Sequence, residues 1–129
     1  FIYNEKNIKN YMVVTFDLNN LKMCNDNYGH SSGDAYIIHS AHIIETTFDR
    51  FGKCYRIGGD EFCCLIPDAA EFQIERFIQK MQQDIAILNN KNIIPTEVGI
   101  ACGYHSNGGC DCMWLCIFYS RRYGYRKSA

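Results

Sequence analysis

Hydrophobic and polar positions change period several times along the chain, and each change marks an element. Tyr11-Met12-Val13-Val14-Thr15-Phe16-Asp17-Leu18 is a nearly continuous β-branched and aromatic run. It predicts a buried central strand ending at Asp17. The stretch from Asn19 to Ser32 is rich in Asn, Asp and Gly, with Leu21 and Met23 as apolar anchors. It reads as a short helical turn followed by a loop. From Gly33 onward Ile37, Ala41, Ile44 and Phe48 recur at helical spacing with Ile38 alongside, which predicts an amphipathic helix from Asp34 to Phe48.

Lys53 to Ile57 and Glu61 to Pro67 then read as two short strands joined through Gly58-Gly59-Asp60. Glycines in such a connection signal a hairpin, because they tolerate the positive φ of a tight turn. A second amphipathic helix is expected from about Ala70 to Leu88, carrying Phe72, Phe77, Ile78, Met81, Ile85 and Leu88. Thr96 to Tyr104 alternates Val98, Ile100 and Cys102 with small residues and predicts a further strand, and Met113 to Tyr123 reads as a poorly patterned helix. No internal repeat, linker or low-complexity tract interrupts this order. Strand, helix, hairpin, helix, strand, helix predicts an α+β fold: a central, mostly antiparallel sheet with flanking helices.

Composition narrows the picture. The 129 residues suffice for one domain with a core but not for two, so 1–129 reads as a single domain. A hydrophobic fraction of 47% argues against disorder, and a net charge of −1 argues against a nucleic-acid polymer as partner. A small anionic ligand needs only a few cations or a metal. The apolar runs are too short to span a bilayer, and Phe1-Ile2-Tyr3-Asn4-Glu5-Lys6 does not read as a signal peptide. Three of the eight cysteines, Cys63, Cys64 and Cys102, lie in strand-like segments, which suggests reduced, buried thiols in a cytoplasmic protein. Cys110, Cys112 and Cys116 lack a second Cys/His pair at zinc-ligand spacing and read as an ordinary thiol cluster. His39 and His42 have no evident third ligand and read as surface or structural groups.

Three polar clusters fall at the predicted ends of elements. One runs from Asp17-Leu18-Asn19-Asn20-Leu21-Lys22 to Asn25-Asp26-Asn27-Tyr28-Gly29-His30, the second is Gly33-Asp34, and the third is Arg56-Ile57-Gly58-Gly59-Asp60-Glu61-Phe62. Taken singly, Asp34 is a helix-start residue, Asp17 a polar strand end, Lys22 solvated surface and Gly58-Gly59-Asp60 a plain turn. Their joint order resembles the GGDEF family of diguanylate cyclases. The turn reads Gly-Gly-Asp-Glu-Phe, and the family's D-x-(D/N)-x-(F/L)-K-x-x-N-D-x-(Y/F)-G-H-x-x-G-D pattern runs without a gap from Asp17 to Asp34. The resemblance extends from about Tyr11 to Tyr104.

The resemblance implies a ferredoxin-like, palm-type nucleotidyl cyclase fold. It also implies condensation of two GTP into cyclic di-GMP with release of pyrophosphate, each 3′-hydroxyl attacking the other nucleotide's α-phosphate. Such chemistry calls for a divalent metal, Mg²⁺ or Mn²⁺, to neutralise the triphosphate and acidify the hydroxyl. By the family match Asp17, Asp60 and the Leu18 carbonyl are metal ligands. Glu61, Asp60 and Gly59 form the catalytic turn, with Glu61 open to a role as base or as electrostatic element. Gly58 and Gly59 admit the nucleotide to the backbone. Lys22 matches a phosphate contact, and Asn25 and Asp34 match the guanine-reading pair. Guanine offers two N–H donors that a carboxylate accepts together, an arrangement adenine lacks.

Four departures from the family pattern stand out. The upstream helix and its opening Asp-x-Leu-Thr-Gly-Leu-x-Asn-Arg motif are absent, so the chain reads as a domain lacking its N-terminal opening segment, with any sensory or membrane-bound module beyond it. Asp49-Arg50-Phe51-Gly52 replaces the family's Arg-x-x-Asp product site, which predicts no inhibition there. Tyr119-Ser120-Arg121-Arg122-Tyr123-Gly124-Tyr125-Arg126 keeps cations for the triphosphate at Arg122 and Arg126, with Lys127 in another register. Finally, family members complete the active site across a homodimer, and the isolated chain lacks the upstream dimerising element. The competing expectation is a catalytically silent module of the same family that binds GTP as a regulatory ligand or serves as an interaction platform.

Overall fold

The most continuous apolar run of the chain becomes a central strand of a sheet. In the computed structural model, which describes residues 11–67 and 73–107, β1 spans Tyr11–Leu18 and pairs on both sides. On one side lies β3 (Glu61–Ile66), on the other β4 (Ile100–Asn107), and β2 (Lys53–Arg56) forms the far edge beside β3. The order is β2-β3-β1-β4 and every pairing is antiparallel. Burial on both lateral neighbours explains the near absence of polar residues in β1. Edge strand β2, by contrast, is half-exposed.

Alternation along the strands divides the sheet into two faces. Met12, Val14, Phe16 and Leu18, with Phe62, Cys64, Ile66 and Cys102, join the main core. Against that face pack α2 (His30–Phe48) and α3 (Ile74–Asn90), contributing Tyr36, Ile43, Ile44, Phe48, Ile78, Met81 and Ile85. Phe48 bridges the layers, its ring 5.5 Å from Phe16 and 6.4 Å from Phe77. Asp17 and Glu61, at odd positions, stand on the opposite face. The α+β architecture with an antiparallel sheet is thus as the sequence predicts.

The differences are local. The stretch after β1 is not a turn and loop: α1 occupies Leu21–Tyr28, and α2 begins at His30, four residues before the expected Asp34. Gly29, at φ +90°, lets one helix stop and the next start around a single residue, a backbone state an L side chain rarely adopts. The inward face of α2 includes the expected Ile37, Ala41, Ile44 and Phe48 but not Ile38. Tyr36, Ser40 and Thr47 are buried while Ile38 is 65% exposed. Strand β4 starts at Ile100 rather than Thr96, because the backbone of Val98 is bonded to the Asn89 side chain instead. Its N–H donates to Asn89 Oδ1 (2.8 Å) and its carbonyl accepts from Asn89 Nδ2 (3.0 Å). Helix α3 starts at Ile74 rather than near Ala70, and Phe72 lies outside the described residues, as does the predicted helix from Met113 to Tyr123.

Candidate functional site

The β1–β3 register creates an unusual pair. Asp17 stands directly opposite Glu61, and side chains opposite each other in an antiparallel pair share one face about 5 Å apart. Two like charges so placed repel, a destabilising arrangement in a sheet. Asp60, one residue earlier in the β2–β3 turn, adds a third carboxylate. Ligand atoms from Asp17, Asp60 and Glu61 all lie within 4.8 Å of one another. Asp17 and Glu61 are half-buried and Asp60 is exposed, so the cluster opens to solvent on the Asp60 side. Hard oxygen donors at this separation suit Mg²⁺ or Mn²⁺, which take carboxylates together with water and phosphate oxygens. A cation held there would relieve the repulsion that the register imposes. The donor set therefore fits the metal.

The backbone around the cluster is fixed from both sides. Leu18 N–H donates to the Asp60 carbonyl at 2.9 Å, tying the turn to the end of β1. Asn19 N–H donates to the Gly99 carbonyl at 2.8 Å on the β4 side. Because the Leu18–Asn19 peptide is planar and trans, the Leu18 carbonyl points the opposite way, toward the hairpin that carries Asp60. That direction suits a carbonyl ligand beside the carboxylates.

The turn itself differs from the sequence expectation. Among the described residues Gly29 is the one glycine at positive φ, so neither Gly58 nor Gly59 uses the left-handed freedom invoked for them. Of the two, only at Gly58 would a side chain be crowded by its surroundings. A Cβ on Gly58 would come within 3.1 Å of Glu61 Oε1, whereas one on Gly59 would meet open space. Arg56, quoted with this motif but given no role from sequence, braces the turn. Its Nε donates to the Gly58 carbonyl (3.1 Å) and its Nη2 to the Gly59 carbonyl (2.9 Å).

The second cluster forms where α1 packs on α2. Asn25 is half-buried and its amide lies over Gly33: a Cβ there would stand 1.6 Å from Asn25 Oδ1. Asp34, the next residue, is exposed on the first turns of α2, and Lys22 is exposed on α1. Sequence reasoning missed Tyr36, whose hydroxyl reaches the backbone carbonyls of Asn19 and Gly99 just past the end of β1. Its only sequence signal was a large tyrosine two residues after Asp34 in a helix face otherwise read through isoleucines. Arg122, Arg126 and Lys127, with Cys110, Cys112 and Cys116, lie outside the described residues. Cys24, Cys54, Cys63, Cys64 and Cys102 are free thiols, all buried except the half-buried Cys54.

Comparison with known proteins joins these clusters to a family. Residues 2–109 match the family model described as "Diguanylate cyclase, GGDEF domain". The bifunctional diguanylate cyclase/cyclic di-GMP phosphodiesterase MucR of Pseudomonas aeruginosa is 32% identical over 97 residues, covering 72% of this chain and 14% of MucR. The signaling protein YkoW of Bacillus subtilis is 30% identical over 108 residues, 78% of this chain and 14% of YkoW. This chain thus spans a small part of the length of these curated relatives. Among solved structures, the active GGEEF domain of a diguanylate cyclase from Vibrio cholerae superposes with a TM-score of 0.67 at 19% identity, covering 93% of this chain and 85% of that one. The GGDEF domain of DgcB from Caulobacter crescentus, solved with c-di-GMP, also gives 0.67 at 19% identity, covering 92% of this chain and 76% of that one. At such identity these structures speak to the fold.

Proposed function

Because the chain belongs to the GGDEF family of diguanylate cyclases, we propose that it condenses two GTP molecules into cyclic di-GMP with release of two pyrophosphates. The observation that carries this reading is the meeting of Asp17, Asp60 and Glu61 at the junction of β1 and the β2–β3 turn. Asp17, Asp60 and the Leu18 carbonyl would hold Mg²⁺ or Mn²⁺. When bound, the metal neutralises triphosphate charge and lowers the pKa of the attacking 3′-hydroxyl.

The remaining work belongs to the chain's own groups. Glu61 stands beside that hydroxyl, where a carboxylate can accept its proton as the new phosphodiester bond forms and pyrophosphate leaves. Gly59, with no side chain and open space around it, lets the nucleotide reach the turn backbone, and Gly58 leaves Glu61 its room. Asn25 and the Asp34 carboxylate read the guanine edge. Adenine there would leave the acceptors that the guanine edge satisfies without those donors, which disfavours it. Lys22, and beyond the described residues Arg122 and Arg126, supply positive charge to the triphosphate. Each copy presents one GTP, so two copies must meet face to face, each completing the other's site, for both bonds to form.

Incubation with GTP and Mg²⁺ tests the reading directly. Cyclic di-GMP should appear, with turnover per chain rising as protein concentration favours the dimer. Asp60→Ala should reduce product at least 100-fold, the order lost when a key transition-state contact is removed, while retaining the wild-type circular dichroism. GTP bound stoichiometrically without pyrophosphate release, at every protein concentration, would instead identify a silent GTP-binding module.

A further inference from the structure

Behind the acidic cluster sits a buried hydroxyl with no part in the chemistry above. Tyr36 lies on α2 with its side chain fully buried. Its hydroxyl is 2.6 Å from the Asn19 carbonyl and 3.0 Å from the Gly99 carbonyl, and it accepts the Gly99 N–H at 3.0 Å. One phenol carries one proton. The Gly99 carbonyl already accepts the Asn19 N–H, so the shorter contact to Asn19 takes that proton. Burial pushes the phenol's pKa up, which keeps the donor protonated.

We infer that the Tyr36 hydroxyl is a positioning group that fixes the Leu18–Asn19 backbone and so presets the metal-side loop from the helix that carries Asp34. The inference rests on the reading of Asp17, Leu18 and Asp60 as metal ligands. The connection is continuous. Asn89 on α3 holds Val98, Val98 leads into Gly99, Gly99 is bonded to both Asn19 and Tyr36, and Tyr36 closes the ring onto Asn19. Rotating the Leu18–Asn19 peptide would break the Asn19 N–H bond to Gly99 and swing the Leu18 carbonyl off the hairpin side together. Tyr36 opposes that rotation by holding the next carbonyl along. A Cβ on Gly99 would stand 2.9 Å from Asn19 Nδ2, the movable end of a side chain, so the closure rests on the backbone bonds rather than on that glycine. Removing a group that orients a metal ligand from behind typically costs about 10- to 100-fold in metal affinity.

The test compares Tyr36→Phe with wild type and with Thr47→Val, a variant that removes another buried α2 hydroxyl, bonded to the Ile43 carbonyl at 2.7 Å. Mn²⁺ binding in the presence of GTP is followed by electron paramagnetic resonance, and amide hydrogen exchange is followed without ligand. Tyr36→Phe should weaken Mn²⁺ roughly 10- to 100-fold and speed exchange at the Asn19 and Gly99 amides while leaving Val14 protected. Thr47→Val should leave Mn²⁺ affinity and those two amides unchanged. Asn89→Ala, which loosens Gly99 without altering α2, should weaken Mn²⁺ in the same direction and serves if Tyr36→Phe does not fold. Unchanged Mn²⁺ affinity in both, or equal losses in Thr47→Val, overturns the inference. If wild type itself binds no Mn²⁺ with GTP, the functional reading fails, and amide exchange alone then decides whether Tyr36 holds the loop.

Discussion

Gly33 and Gly52 show how differently two glycines can act. At Gly33 an added methyl would collide with the end of the Asn25 amide at 1.6 Å, and that side chain can swing aside. Gly33→Ala should therefore fold but displace Asn25 from the guanine-reading position proposed for it. The expected result is GTP binding weakened about tenfold, the effect of one lost hydrogen-bonding partner, with discrimination against ATP reduced in parallel. Wild-type GTP affinity in a folded Gly33→Ala chain would remove Asn25 from the base-reading set. At Gly52 the obstruction is backbone: a Cβ would stand 1.9 Å from the Leu65 carbonyl oxygen and 2.9 Å from Ile66 Cα. Neither can yield without parting the β2–β3 pair. Gly52→Ala should lower stability by about 1–3 kcal/mol in urea unfolding, the usual range for overpacking. Nucleotide affinity of the folded fraction should stay the same.

Within β3 and its neighbours, burial decides the chemistry of the thiols. It pushes Cys63 and Cys102 up to about 12, and raises Cys64 through its hydrogen bond with Cys54 and its own desolvation. Cys54, opposite Cys64 on the edge strand, is lowered because that same bond stabilises its thiolate. Iodoacetamide at pH 8 followed by peptide mapping should label Cys54 well before Cys63, Cys64 or Cys102. Equal labelling would mean that the edge of the sheet opens as easily as its centre. The elements that were legible in the sequence share this strong burial. Strand β1 was readable because both lateral neighbours and the core demand apolar residues, and α3 because Ile78, Met81, Ile85 and Leu88 form one inward stripe. Helix α1 was not readable, since it buries only Leu21 and Cys24 and starts after Asn20 in the left-handed region at φ 59°. Ile38 alone misled the reading of α2, because the polar Ser40 and Thr47 share the inward side with Tyr36, Ile43, Ile44 and Phe48 while Ile38 faces out. The acidic site was legible as a motif, with Asp17, Asp60 and Glu61 all named in advance. Its bracing was not: Arg56 and Tyr36 act through backbone carbonyls, and contacts between distant backbone groups leave no periodic trace in a sequence.

Across the whole molecule, the buried thiols link stability to pH. For Cys63 and Cys102 the folded pKa, about 12, lies above the ordinary value of 9.0. Above pH 9 the unfolded chain loses these protons while the folded one keeps them, so deprotonation favours unfolding. Their contribution is fully present below pH 9 and is lost as pH rises toward 12. Urea unfolding under reducing conditions should show stability falling as pH rises above 9, more shallowly in a Cys63→Ala/Cys102→Ala chain. Parallel curves for the two chains would contradict the burial of these side chains. Among the described residues no helix is long and apolar enough to cross a membrane. The central claim concerns three carboxylates that a sheet register and a tight turn force together. Anomalous scattering from crystals grown with Mn²⁺ and a non-hydrolysable GTP analogue tests it most directly. The predicted result is a manganese peak within about 2.0–2.4 Å of carboxylate oxygens from both Asp17 and Asp60, a usual oxygen-ligand distance, with phosphate on its open side. A nucleotide bound with its metal away from both residues, or no metal at the β1–turn junction at all, would contradict it.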